Sequence, residues 1–160
     1  MAPFVQVSEF MNALDLLRSD HDQIDEMIDR FEASEERAEK RQIFTRLRSD
    51  IETHTHVEEV VFYPHFENRE GFHDLISDFY DDHLEIRELV ENLDAAFDEG
   101  NDMELEDKFD DLVSSIQSHV DDEETELFSL IEETCSTQEL ESLASQIEEA
   151  REAFLPSRAA

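Results

Sequence analysis

Residues 54–64 read HTHVEEVVFYP and residues 119–128 read HVDDEETELF. Each opens on a histidine, places two glutamates four and five positions later, and then turns apolar. At a spacing of four, a histidine and a glutamate lie on one face of an α-helix, about one turn apart. The residues leading into each segment say which face that is. Phe44, Leu47 and Ile51 step helically into His54, Glu58 and Val61. Leu105, Phe109, Leu112 and Ile116 step into His119, Glu123, Leu127 and Leu130. Both His/Glu pairs therefore fall on an apolar stripe of the kind that faces a core.

Two more stripes carry one histidine each. Phe10, Leu14, Leu17, Ile24, Ile28 and Phe31 leave a single slot, filled by His21. Phe72, Ile76, Phe79, Ile86, Val90, Leu93 and Phe97 leave another, filled by His83. The polar stretches ASEERAEK (33–40), ENREG (67–71) and EGND (99–102) separate the four, and only two Gly and three Pro occur in 160 residues. Long stripes with short connections predict an all-α chain, an antiparallel up-down-up-down four-helix bundle over about residues 8–134. Ser136 and Glu139 are spaced as a capping box. They open a shorter amphipathic helix, about 136–155, expected to pack on the outside. The length suits one domain spanning 1–160.

Burying one unpaired carboxylate costs several kcal/mol, on the order of a domain's whole stability margin. These stripes would bury two carboxylates and four imidazoles, and they contain no Lys or Arg. A metal is the natural source of compensating charge. The heights agree. In an antiparallel pair, residues at equal height are equidistant from the turn. Taking 56 and 121 as the centres of the His/Glu pairs, the successive midpoints are 38.5, 69.5 and 102, each within or at the edge of a polar stretch. His21, His54, Glu58, His83, His119 and Glu123 are thus expected in one layer. A set of four nitrogen and two carboxylate ligands suits Fe, with Mn or Zn as alternatives, and exceeds what one tetrahedral zinc takes. It fits two Fe ions bridged by both glutamates with two histidines each. That leaves positions for an oxo or hydroxo bridge and for an exogenous small molecule.

Among the other candidates, Glu59 and Glu124 point about 100° away from the stripe and are expected to be surface groups or acceptors from imidazole N–H groups rather than ligands. His56 is expected to be solvated and His73 exposed. His65 is placed near the bundle end, with lining of a path to the metals as the alternative. Phe79 is expected in the core with the rest of its stripe, with walling of the pocket as the alternative, and Cys135 is given no role.

Asp and Glu total 45 against 12 Lys and Arg, a formal charge of −33. Such a surface repels phosphate backbones and anionic headgroups, so no nucleic-acid or membrane partner is expected. It is tolerable where salt screens it, which suggests the cytoplasm of a halophilic microbe. One cysteine allows no intrachain disulfide. There is no apolar run of about 18 residues and no basic leader pattern at the N-terminus, so a cytoplasmic protein is expected.

In LRSDHDQI, HTHVEEVVFYP, YDDHLEIRE and HVDDEETELF, spread over about residues 10–131, the chain resembles the hemerythrin-like proteins, specifically the HHE cation-binding domain. The order of a lone His, His-x-x-x-Glu-Glu, a lone His and His-x-x-x-Glu-Glu is that of the family, as is the aromatic-Pro pair Tyr63-Pro64. The fourth segment has Phe128-Ser129 where Pro is common. The resemblance implies a di-iron site. Oxygen carriers of the family are known for a fifth histidine one turn before the third-helix ligand, and here that position is Phe79. The four-His, two-Glu pattern looks more like the branch linked to iron or oxygen sensing, and like the di-iron domain of iron–sulfur repair proteins. Those proteins usually carry a cysteine-bearing extension, which is not seen before residue 10. The expected function is binding or sensing of O2, NO or iron. The alternatives are a di-iron oxidoreductase consuming peroxide or NO, an iron donor in repair and, last, a metal-free interaction bundle.

Overall fold

The computed structural model describes residues 11–159, which form helices and no strand. Helix α1 is Ala13–Ala33. Helix α2 comprises Arg37–Val57, a wide π-helical stretch Glu58–Phe62 and a last turn Tyr63–Phe66. Helix α3 is His73–Glu99. Helix α4 comprises Asp102–Asp122, a second π-helical stretch Glu123–Phe128 and Ser129–Thr134. Helix α5 is Thr137–Ala159. Phe10 and the expected start of the bundle near residue 8 lie outside the described residues.

The connections follow from their residues. Asn12 and Asp15 form a reciprocal cap at the start of α1, each side chain accepting from the other's backbone N–H at 3.0 and 3.1 Å. Between α3 and α4, Gly100 takes φ 77°, a left-handed conformation that glycine adopts without a Cβ clash. The next residue, Asn101, accepts from the Glu104 N–H at 3.1 Å and starts α4. The Arg37 guanidinium donates to the carbonyls of Ala96 and Phe97 at 3.2 and 2.7 Å, placing a cation at the negative end of α3. Ser136 accepts from the Glu139 N–H at 3.1 Å as the capping pattern predicts. The Glu139 carboxylate instead leaves the helix to meet His65 and Arg69.

The four long helices alternate in direction, and α5 packs outside the bundle against α1 and α2. The apolar interior is not continuous. One cluster centres on Leu14, Leu17, Phe62, Phe66, Phe79 and Phe128 and takes in Leu140, Leu143 and Ile147 of α5. The other centres on Ile28, Phe31, Phe44, Leu93, Phe97 and Phe109. Phe31 and Phe109 stack there with ring centroids 3.8 Å apart. A polar layer, made of the four histidines and two glutamates of the stripes, lies between the two. No described helix is long and apolar enough to cross a membrane.

A candidate metal centre between four helices

His21 comes from α1, His54 and Glu58 from α2, His83 from α3, and His119 and Glu123 from α4. Each is at most 5 % exposed, and both glutamates and His83 are at 0 %. Their inward atoms converge. His21 Nε2 lies 3.1 Å from Glu123 Oε1, and His54 Nε2 and His83 Nε2 lie 3.2 and 3.1 Å from Glu58 Oε1. His119 Nε2 is 3.7 Å from Glu123 Oε2. Two groups have ligand-type atoms all within 4.8 Å of one another: His21, His54, Glu58 and Glu123, and then Glu58, His83 and His119. Glu58 belongs to both.

Both carboxylates sit where the helix widens. The Tyr63 N–H bonds back to Glu58 O, five residues earlier, so one extra residue is accommodated in the turn. The extra residue rotates the C-terminal end of each helix. Val61 and Leu130, expected on the stripes, are only half-buried, while Phe62, Tyr63, Phe128 and Ile131 are fully buried.

The outward nitrogens form a second ring. His21 Nδ1 donates to Glu124 at 2.6 Å and His83 Nδ1 to Glu59 at 2.7 Å, the acceptor role being one of the two expected from sequence. His54 Nδ1 donates to Asp20 at 2.9 Å and His119 Nδ1 to Asp82 at 3.0 Å, which sequence reasoning missed. A signal existed: Asp20 and Asp82 directly precede His21 and His83, just as Glu59 and Glu124 directly follow Glu58 and Glu123. Each helix thereby backs the histidine of the next, in a closed cycle. Nδ1–H donation leaves the Nε2 lone pair facing inward, the tautomer a metal requires.

The residues fit a cation on their own chemistry. Nε2 of His21, His54 and His119, Glu58 Oε2 and Glu123 Oε1 are buried without a hydrogen-bond partner. Five orphaned acceptors converging in one layer are costly unless a positive charge is shared among them. Protons can occupy that role in part. Burial opposes charging His83, but hydrogen bonds to Glu58 and Glu59 outweigh it and raise its pKa to about 9. Burial likewise works to raise Glu58, yet His54 and His83 hold it well below the usual carboxylate range.

One further residue belongs to the layer. Tyr63 is fully buried, and its hydroxyl lies 3.2 Å from Glu58 Oε1, 3.3 Å from His83 Nε2 and in a short contact with Glu123 Oε2. Burial and the negative charge of Glu123 and Glu58 raise its pKa well above the usual phenol value, so it stays a donor. The position nine residues after His54 is Tyr63, and nine after His119 it is Phe128, which stacks on His21 at 6.1 Å. Phe79 is buried in the core and meets His119 edge-on at 5.3 Å, so it also walls the layer.

The remaining histidines stand apart. His73 is exposed. His65 does not line the layer: it is half-buried at the far end of α2, 2.7 Å from Glu139 and 3.1 Å from Arg69. His56 is half-buried rather than freely solvated, because α5 lays Phe154 over it with ring centroids 4.1 Å apart.

A protein of Nostoc sp. named a DNA nickase is 26 % identical over 141 residues, which cover 88 % of this chain but only 39 % of that protein. No solved structure matches the chain significantly. The family model of the hemerythrin HHE cation-binding domain matches residues 12–131, a stretch that contains all six converging side chains. The chain belongs to the hemerythrin HHE cation-binding domain family.

Proposed function

We propose that the chain is a non-haem di-iron protein that binds or senses O2, NO or iron through His21, His54, Glu58, His83, His119 and Glu123. The observation that carries this reading is the set of orphaned nitrogen and oxygen atoms in a layer with no Lys or Arg of its own. Two atom groups sharing Glu58 support two metal positions, with Glu123 close enough to His21 and His119 to act as the second bridge. A mixed imidazole and carboxylate set favours iron, with Mn or Zn behind it. Bound iron would supply Lewis-acid and one-electron chemistry and an open position for a small molecule. The chain's own residues do the rest. The outer carboxylates orient the imidazoles, the two apolar clusters keep water from the layer, and Tyr63 holds a proton at the glutamate pair. The −33 charge supports a high-salt cytoplasm as the working environment.

The test is anaerobic iron loading with metal analysis, followed by visible spectra under O2, NO and peroxide. About two irons per chain and a spectrum that responds to O2 or NO are expected. A single metal, or zinc in a closed site, would refute the dinuclear reading. Tyr63 favours a second reading, a di-iron oxidoreductase, because it is a proton donor within the layer. Sustained consumption of peroxide or NO would establish that reading over binding. DNA nicking, the activity in the Nostoc relative's name, is not carried over, since this chain's charge repels a phosphate backbone.

A further inference from the structure

The second ring is not uniform. Asp20 is the most buried of its four carboxylates, at 6 % exposure. It is also the one held from outside the bundle. Arg151 of α5 forks onto it, Nη1 to Oδ1 at 2.7 Å and Nη2 to Oδ2 at 3.1 Å. Oδ2 is the same oxygen that accepts from His54 Nδ1. Phe154, three residues further along α5, lies on His56 of α2 and does not touch Asp20. The other half of the layer is built differently. Asp82, the sequence counterpart of Asp20, meets no cation among the described residues. Glu59 is braced by Arg87 at 2.5 Å, a residue of α3 inside the bundle.

We propose that Arg151 is a positioning residue for one of two metal positions, fixing Asp20 so that His54 presents Nε2 correctly, and that the His21/His54 position therefore depends on the fifth helix while the His83/His119 position does not. A two-pronged guanidinium sets the plane of a carboxylate as well as its charge, which an ammonium does not. With the plane free, Asp20 can rotate away and release the His54 ring. Outer partners of metal-bound histidines typically account for about 10–100-fold in metal affinity. Docking of α5 itself rests on Leu140, Leu143, Ala144 and Ile147, which the change leaves in place. The inference rests on the two-metal reading of the layer.

The experiment is an anaerobic titration of metal-free protein with Co(II) by equilibrium dialysis, on the wild type, Arg151→Ala, Arg151→Lys and Phe154→Ala. Wild type should bind two equivalents. Arg151→Ala should weaken one equivalent by about 10–100-fold and leave the other unchanged. Arg151→Lys should recover only part of the loss, and Phe154→Ala, which loosens the helix end without touching Asp20, should leave both equivalents intact. Equal weakening of both equivalents, no change in either, or the same loss from Phe154→Ala would overturn the positioning role. A wild type that takes fewer than two equivalents would overturn the two-metal reading, and this inference with it.

Discussion

Replacing Tyr63 by Phe removes one hydroxyl from the layer and little else. The ring lies among Phe62, Phe79 and Tyr80, and Phe128 shows that a phenyl group suits the matching place on α4. The lost interaction is a hydrogen bond to the fully buried carboxylate of Glu123, with the carboxylate of Glu58, which His54 and His83 hold well below the usual range, 3.2 Å away. Hydrogen bonds to charged groups contribute about 1.5–3 kcal/mol. In metal-free protein the variant should therefore be less stable by about 2 kcal/mol, a fall of roughly 4–8 °C in melting temperature for a chain of this size. With metal bound, the carboxylate charge is already compensated, and the loss should shrink to about 1 kcal/mol or less. Closing the thermodynamic cycle, Tyr63→Phe must then bind metal more tightly, by about 1 kcal/mol or several-fold. Urea unfolding with and without chelator measures the two stabilities, and metal titration measures the affinity independently. A loss that is equal in both states, or greater in the loaded one, would show that the hydroxyl does not compete with metal for the carboxylates.

Three other outcomes are expected. His54→Ala or Glu123→Ala should lose metal by elemental analysis, whereas His56→Ala and His73→Ala should keep it, with His56→Ala lowering the melting temperature through the lost Phe154 stack; equal metal loss in both groups would refute the ligand set. Melting temperature should rise markedly with KCl, as the Debye length falls from about 30 Å at 0.01 M to about 3 Å at 1 M, while metal content of the folded, buried layer stays constant; salt-independent melting would refute the role given to the surface charge. Hydrogen bonds from Arg69 and His65 pull the Glu139 pKa from an ordinary 4.5 to about 2. Its stabilising effect is full above the ordinary value and fades as pH falls toward about 2. The stability difference between metal-free wild type and Glu139→Gln should narrow across that window, and a difference that stays constant would refute the assignment.

The helices and the layer were legible because they rest on regular repetition. Leu14, Leu17, His21 and Ile24 read as one stripe without reference to any neighbour, and all four are buried. The heights of His21, His54, His83 and His119 needed only the turn positions. What escaped depended on departures from that regularity or on contacts distant in sequence. A 3.6-residue repeat carried through Glu58 puts Val61 on the core face, and the wide turn breaks that repeat. Tyr63 became a member of the layer for the same reason. Asp20 and Asp82 stand out only once their rings are seen, since acids fill 45 of 160 positions. His56 was misplaced because α5 meets α2 about a hundred residues later in the chain, and nothing in the pattern of α5 names the face it covers.

The cycle of outer carboxylates also answers why the chain carries its motif twice. Two of its links, Asp20 to His54 and Asp82 to His119, are internal to the α1–α2 and α3–α4 hairpins. The other two, Glu59 to His83 and Glu124 to His21, join one hairpin to the other. Each hairpin thus supplies two histidines, one glutamate and half the fastening, and lacks what its twin provides. A chain severed in the 67–71 connection would yield two complementary fragments, and neither would enclose an ion until they met.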